Sequence, residues 1–288
     1  MKSLYGGESL QVLSAGILII AVLWVLALSP GRGRRERMAA FSKRTIAHRG
    51  LHDNSSCAPE NTLAAFGKAV EAGYGFELDV RLTADDRLVV CHDDSLERAA
   101  GISRSVSGLT YRELCEVNLF GSDQHVPLFS DVLAKAAGKV PLIVEIKSED
   151  FAGAKKISSM TQALLDRYSG VYCIESFNPA VLFWYKKNRP AVLRGQLAER
   201  FSGKAFPDCM LTFLLSSCFF NFLTKPDFIA YDYRHAGLIR FRLIRDLYHP
   251  VFAAWTIKSQ KQMELAGRNF QIMIFDSFIP EENADSKA

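Results

Sequence analysis

The chain has 288 residues, of which 49% are hydrophobic and 23% are charged, and its formal net charge is +4. These values exclude a disordered or low-complexity protein, and the length suits one large α/β domain or two average ones. Six basic residues and one acid lie between Arg32 and Arg44. The remaining chain is therefore close to neutral, and its bulk charge gives no reason to expect nucleic-acid binding.

An apolar segment comes first in chain order. Leu10–Leu28 is a run of 19 residues without charge, and as a helix it would be about 28 Å long, close to the hydrocarbon thickness of a bilayer. The pattern predicts residues 1–9 as a short extracytoplasmic N-terminus, 10–29 as a transmembrane anchor and 30–44 as a basic juxtamembrane linker. A cleaved signal peptide is the alternative, but it would carry its charge before a shorter apolar core.

The basic residues follow the apolar run directly. The positive-inside rule therefore predicts a single-pass protein of the cell membrane whose folded body lies in the cytoplasm. The basic cluster would also attract anionic lipid headgroups. The six cysteines are spread along the chain without a C-x-x-C pair, which favours reduced thiols, although their even number leaves disulfides open.

From residue 45 onward, short apolar runs alternate with longer amphipathic segments. This alternation over about 240 residues favours an α/β fold, a (β/α)₈ TIM barrel over residues 45–280, with a doubly wound open sheet as the alternative. Residues 281–288 form a C-terminal tail. The predicted strands are Thr45–Ala47, Phe76–Val80, Leu142–Ile146, Val171–Ser176, Val192–Leu197, Phe228–Tyr231, Val251–Trp255 and Ile272–Phe275.

Three features complete the predicted architecture. Thr62–Ala72 has the periodicity of a helix, with Asn61 or Thr62 as its N-cap. The stretch after the second strand is too long for an ordinary connection, and it predicts a small insertion over about 93–138. Cys209–Leu223 is uncharged over fifteen residues; it is predicted either as a buried barrel helix or as an amphiphilic flap that rests on the membrane.

Polar side chains gather where the predicted strands end. In a barrel the carboxyl ends of all strands meet at one mouth, so these side chains are expected to lie close together. They are His48 and Arg49, Glu77 and Asp79, His92, Glu145 and Lys147, and Trp255.

The residue types at this mouth indicate phosphoryl chemistry. Three carboxylates in one place repel each other unless a cation lies between them, and oxygen ligands suit Mg²⁺ or Ca²⁺. Two histidines supply an acid and a base near neutral pH, and either can act as the base. Basic side chains add positive charge suited to a phosphate.

Five motifs in order carry a family resemblance. They are IAHRG at 46–50, APENTL at 58–63, FELDV at 76–80, LVVCHD at 88–93 and VEIK at 144–147, followed by WT at 255–256. Their combination resembles the glycerophosphodiester phosphodiesterase family, in a membrane-anchored form. The segments IKS at 257–259 and IFDS at 274–277 depart from the family pattern, and both bear on the alcohol accepted.

The resemblance implies a barrel with an insertion after its second strand, one divalent metal ion and no nucleic acid. It implies hydrolysis of glycerophosphodiesters to glycerol 3-phosphate and an alcohol. The alternatives are lysophospholipase D activity on lysophospholipids at the membrane, a catalytically silent sensor of such molecules, and an unrelated enzyme on the same barrel. The implied roles are an acid/base pair of His48 and His92, metal ligands Glu77, Asp79 and Glu145, phosphate contacts Arg49 and Lys147, and Glu60 and Trp255 at the substrate.

Overall fold

The computed structural model describes residues 4–31, 34–42, 45–148, 150–199 and 218–281. Within these ranges the backbone forms nine strands, which are numbered here in chain order. The strands are β1 (Ile46–Ala47), β2 (Gly75–Leu82), β3 (Leu88–Val90), β4 (Leu142–Ile146), β5 (Tyr172–Ser176), β6 (Arg194–Ala198), β7 (Phe228–Asp232), β8 (Val251–Ile257) and β9 (Ile272–Phe275).

Eight of these strands close into a parallel barrel. Strand β1 pairs with β2 on one side and with β9 on the other, and the remaining parallel strands follow in chain order. Strand β3 stands outside the ring, because it pairs antiparallel with β2. Closure confirms the predicted TIM barrel and excludes an open doubly wound sheet, which would leave two edge strands.

Alternate residues of each barrel strand face the interior and the surrounding helices. In β4, Ile143 belongs to the interior cluster with Cys173 and Ala230, whereas Val144 belongs to the outer cluster with Phe129. Strands that are buried on both faces read as continuous apolar runs. For this reason the sequence places all eight barrel strands within two residues of their observed ends.

The helices form an outer layer around the barrel. Helix α3 begins where the sequence predicts, because the Thr62 hydroxyl accepts a hydrogen bond from the Ala65 amide and so caps the first turn. The helices are α1 (Leu4–Ala27), α2 (Ala39–Ser42), α3 (Leu63–Glu71), α4 (Glu97–Ala100), α5 (Tyr111–Leu114), α6 (Phe129–Ala136), α7 (Phe151–Leu165), α8 (Pro179–Asn188), α9 (Asn221–Thr224), α10 (Ile239–Tyr248) and α11 (Gln260–Ala266).

The predicted insertion over 93–138 has two structurally different parts. The segment before α6 has an apolar core of its own, which includes Leu96, Val106 and Leu114. Helix α6 instead packs on α3 in the outer layer of the barrel. The self-contained part of the insertion therefore ends before α6.

Residues 34–42 close the amino-terminal end of the barrel, and we call them the barrel floor. Met38 and Phe41 are fully buried and join the interior cluster of the strands. Arg34 forms a bidentate pair with Asp227, just before β7, at 2.7 and 2.8 Å. The described part of the predicted linker over 30–44 is thus packed against the barrel.

Helix α1 precedes the floor, and only its C-terminal end packs on the barrel. There the Tyr248 hydroxyl donates a hydrogen bond to the carbonyl of Val25, and the Asn221 amide donates to that of Leu28. Farther toward the N-terminus its apolar side chains are exposed, with Ile20 at 69%. Among the residues that the structure describes, no helix is both long and apolar enough to cross a bilayer. The predicted anchor over 10–29 is therefore not confirmed.

The uncharged segment Cys209–Leu223 is described only from Cys218 onward. Cys218 is buried, whereas Phe222 and Leu223 are exposed. Residues 209–217 lie outside the described ranges, so the buried helix and the membrane flap both stay predictions. The described cysteines are free thiols, as expected.

Candidate active site

The turn after β1 carries the first pair of predicted site residues. Its backbone adopts positive φ at Arg49 (55°) and Gly50 (85°). A side chain at Gly50 would meet Ala65 at 2.9 Å, so the close approach of α3 also requires glycine here. The turn aims the backbone amide of Arg49 at Oε2 of Glu77, to which it donates a hydrogen bond at 3.0 Å.

Three buried carboxylates converge at the mouth. Glu77 and Asp79 lie two residues apart in β2, and Glu145 of β4 is the registered neighbour of Asp79. One oxygen of each lies within 4.8 Å of the others. We call these three residues the carboxylate cluster; its all-oxygen donor set fits a hard divalent cation.

The electrostatics of the cluster show how unfavourable it is without a compensating charge. Burial raises the pKa of Glu77 well above its usual value, and the charges of Asp79 and Glu145 raise it further. Burial also raises the pKa of Glu145, to about 7. The Lys147 ammonium lies 2.9 Å from Asp79 and 2.7 Å from Glu145. Burial alone would raise the pKa of Asp79, but nearby positive charges, with Lys147 first among them, lower it well below the usual range.

His48 lies beside the cluster and is oriented by an aspartate. Its Nδ1 is 3.0 Å from Oδ2 of Asp276, and its Nε2 is 3.9 Å from Oε2 of Glu77. Burial lowers the pKa of His48. Contacts with His48 and His52 outweigh burial at Asp276, so the pKa of this carboxyl is lowered and it stays ionised. An ionised partner at Nδ1 favours the tautomer with a free lone pair on Nε2, facing the cluster.

His92 is held on another side of the mouth. Its Nδ1 is 2.7 Å from Oδ1 of Asp93, and Arg81 donates two hydrogen bonds to its carbonyl at 3.0 and 2.9 Å. His92 and Lys147 line one cleft of about 610 Å³. Burial, aided by the charge of Lys147 and of Arg49, lowers the pKa of His92 to about 4.

Glu60 forms ion pairs with two arginines. Arg49 donates to its Oε1 at 2.7 Å, and Arg98 of α4 donates to both oxygens at 2.7 and 3.0 Å. Burial would raise the pKa of Glu60, but the Arg98 hydrogen bonds and the Arg49 charge bring it to about 2. Glu60 thus links Arg49 to Arg98 of the insertion. Its contact with the substrate stays a prediction.

Trp255 is the last predicted site residue in chain order. It is the registered neighbour of Asp232, on β8, and its ring meets that of Phe177 edge to face at 5.8 Å. Its indole Nε1 is buried without a hydrogen-bond partner in the described structure.

Some residues that lie at the site were not predicted there, or were predicted to have another role. Asn61, predicted as a possible helix cap, donates to Oδ2 of Asp79 at 2.8 Å. Glu175 is the registered neighbour of Glu145 on β5, and its Oε2 has no hydrogen-bond partner among the described residues. Asp276 and His52 were not among the predicted site residues. The available signal for Glu175 was a lone acid inside an apolar strand.

The fold and the mouth define a TIM barrel with a candidate divalent-metal site flanked by two imidazoles. Residues 48–207 match the model of the glycerophosphoryl diester phosphodiesterase family. This match covers more than half of the chain, so the chain belongs to that family.

Two curated relatives match part of the chain. The chain is 43% identical over 111 residues to the uncharacterized protein YqiK of Bacillus subtilis, covering 36% of this chain and 44% of that protein. It is 32% identical over 160 residues to mouse lysophospholipase D GDPD1, covering 51% and 49%. The chain thus spans less than half the length of these relatives.

Two solved structures show the same fold at low sequence identity. A putative glycerophosphoryl diester phosphodiesterase from Silicibacter pomeroyi has a TM-score of 0.65 and 21% identity, covering 82% of this chain and 90% of that one. A phosphodiesterase from Oleispira antarctica, solved with the product sn-glycerol-3-phosphate, has a TM-score of 0.64 and 21% identity, covering 82% and 94%.

Proposed function

We propose that this chain hydrolyses glycerophosphodiesters to glycerol 3-phosphate and an alcohol, with one divalent metal ion, Mg²⁺ or Ca²⁺. The observation that carries the proposal is the carboxylate cluster, whose oxygens lie within 4.8 Å of one another beside His48. Family membership supports the reaction class. The mouth suits this chemistry better than acyl or hydride transfer, because its groups neutralise and protonate oxygen.

In this proposal each residue acts through its observed position. A cation held by the carboxylate cluster would neutralise a phosphate oxygen and lower the pKa of a neighbouring hydroxyl. His48 takes the proton from the attacking hydroxyl or water at Nε2, while Asp276 holds the ring at Nδ1 and stabilises the imidazolium that forms. Arg49 and Lys147 add positive charge around the phosphate.

His92 then protonates the leaving alcohol. Its pKa of about 4 reflects first its burial and then the positive charges of Lys147 and Arg49. A bound phosphate anion would offset part of the charge of Lys147 and Arg49 and so favour the protonated ring that an acid requires.

A product assay tests this function. The full chain is incubated with glycerophosphocholine, glycerophosphoethanolamine and glycerophosphoinositol in Mg²⁺, in Ca²⁺ and in excess EDTA. We expect glycerol 3-phosphate with at least one metal and at least a hundred-fold slower release in EDTA, as for removal of a metal that activates the nucleophile. Equal rates with and without EDTA would contradict the metal-dependent mechanism.

Lysophospholipase D activity is the second candidate. It is favoured by the mammalian relatives named lysophospholipase D. The discriminating comparison is glycerophosphocholine against lysophosphatidylcholine below its critical micelle concentration. A kcat/KM that is at least tenfold higher for the acylated substrate supports this candidate, and equal values or a preference for glycerophosphocholine reject it.

We also propose that the apolar segment 10–29 attaches the protein to a membrane, with the barrel in the cytoplasm. The exposed apolar side chains of α1 and the basic residues between Arg32 and Arg44 support this arrangement. Protease added to intact cells should leave the barrel undigested, whereas protease added after permeabilisation should cleave it. Digestion of the barrel in intact cells would reverse the orientation.

A further inference from the structure

A second cluster of metal-ligating side chains lies beside His48, away from the carboxylate cluster. We call His48, His52 and Asp276 the histidine–aspartate cluster. Asp276 bridges the two rings: its Oδ2 is 3.0 Å from Nδ1 of His48, and its Oδ1 is 3.3 Å from Nε2 of His52. One ligand atom of each of the three residues lies within 4.8 Å of the others.

His52 has no structural need that would explain its position. Its side chain is only 7% exposed, and neither ring nitrogen has a hydrogen-bond partner of acceptable geometry in the described structure. A buried imidazole that makes no hydrogen bond lowers stability, because it has lost its contacts with water. The ring is nevertheless held with Nε2 directed at the carboxylate that orients His48. A cavity of about 660 Å³, lined by His52 and Asp276, opens onto the cluster.

The donor set differs from that of the carboxylate cluster. Two imidazole nitrogens and one carboxylate oxygen suit Zn²⁺ and Co²⁺, whereas oxygen-only sites suit Mg²⁺ and Ca²⁺. The two short separations, 3.0 Å to His48 and 3.3 Å to His52, involve different oxygens of Asp276, so this carboxylate holds both rings. One donor atom of each residue lies within 4.8 Å of the others. The cavity leaves room for water as a further ligand of a bound ion.

We propose that His48, His52 and Asp276 form a transition-metal site through which Zn²⁺ inhibits the enzyme. The inhibition rests on the proposed function, because it acts through His48. Zinc binding at Nδ1 breaks the hydrogen bond to Asp276 and replaces the Nδ1 proton, which moves through solvent to Nε2. Nε2 then has no free lone pair, so His48 stops acting as a base.

The first test measures metal binding directly. The full chain with saturating Mg²⁺ is titrated with Co²⁺, and visible absorption reports tetrahedral coordination by nitrogen. We expect one such site in the wild type and at least about tenfold weaker binding in His52→Asn, since even an outer partner of a ligand is worth 10–100-fold. His249→Asn, which removes an exposed histidine, should bind as the wild type does. Equal Co²⁺ binding by His52→Asn would overturn the proposal.

The second test measures inhibition. With saturating Mg²⁺, the rate of each protein is expressed relative to its own rate without zinc. The half-inhibitory Zn²⁺ concentration of His52→Asn should rise at least about tenfold, as expected for a lost ligand, while that of His249→Asn should not change. Equal zinc sensitivity in all three proteins would place inhibition at the carboxylate cluster and reject the site. If no diester is hydrolysed, the Co²⁺ titration still decides whether the site exists.

Discussion

The floor of the barrel and its mouth are made from the two ends of the same strands, yet they differ in the groups they bury. At the floor, Met38 and Phe41 are enclosed by apolar side chains, and the buried carboxylate of Asp227 is matched by Arg34. At the mouth, three carboxylates lie together, and buried polar atoms such as Trp255 Nε1 have no partner in the described structure.

This difference shows that the floor stabilises the fold, whereas the mouth lowers its stability. Like charges and unpaired polar atoms at the mouth disfavour the folded state, and they are retained where a ligand can compensate them. The apolar floor supplies the burial that offsets this cost. Changes at the mouth should therefore alter activity more than stability, and changes at the floor should do the reverse.

The largest expected effect on activity comes from the two histidines. His48→Ala and His92→Ala should each lower kcat for glycerophosphodiesters about 10²–10⁴-fold, the range for loss of a general acid or base. Urea unfolding should remain within about 1 kcal/mol of the wild type, since neither ring is part of the apolar core. His249→Ala is the exposed control. Near-normal rates in both variants would end the proposed mechanism.

The largest expected effect on stability comes from the floor. Phe41→Ala should lower the free energy of unfolding by about 3–5 kcal/mol, because it leaves a cavity inside the barrel. Mg²⁺ affinity of the folded protein should stay unchanged. Phe151→Ala, at a phenylalanine that is 68% exposed, should change stability by less than about 0.5 kcal/mol. Similar losses in the two variants would show that residues 34–42 do not support the barrel.

A smaller loss is expected from the charge pair at the floor. Burial raises the pKa of Asp227 even with Arg34 in place, so Arg34→Ala leaves a buried acid with one partner fewer and should cost about 1–3 kcal/mol. Adding Asp227→Asn should recover part of that loss. The matched control is Arg189→Ala, at an exposed pair with Asp166, where the loss should stay below about 0.5 kcal/mol.

The smallest effect concerns a single acid at the mouth and depends on pH. Burial raises the pKa of Glu175 well above 4.5, so the folded side chain keeps its proton to a higher pH than the unfolded chain does. The contribution of Glu175 to stability therefore falls as the pH rises above 4.5, and Glu175→Gln escapes this loss. In EDTA, the free energy of unfolding of Glu175→Gln should equal that of the wild type at pH 4 and exceed it at pH 8.

The control for this comparison is Glu264→Gln, which changes an exposed glutamate of α11. Urea unfolding at the two pH values is the measurement. A Glu175→Gln variant that is less stable than the wild type at pH 8 would show that the native side chain is ionised.

The barrel could be predicted from the sequence because its strands are apolar on both faces and polar residues mark their ends. For the same reason Glu77, Asp79 and Glu145 could be expected to meet, since strand ends converge in this fold. The insertion was predictable from the length of a connection, and the start of α3 from its cap at Thr62.

The remaining contacts depend on residues that are distant in sequence. Arg98 reaches Glu60 across 38 positions and Asp276 reaches His48 across 228, and no local pattern encodes either pairing. The packing of residues 34–42 against the barrel was not predicted, because arginines dominate the composition of this segment. Its two buried residues, Met38 and Phe41, are too few to form a periodic signal.

The chain enters the barrel through its floor, so α1 is joined to the end of the barrel opposite the mouth. If α1 holds the protein at a bilayer, the mouth opens on the far side, toward the aqueous phase. A water-soluble diester then diffuses in freely, whereas a lipid must first leave the bilayer and travel around the protein. The direction of the tether would thereby select substrates by their solubility, without any change in the residues that perform the reaction.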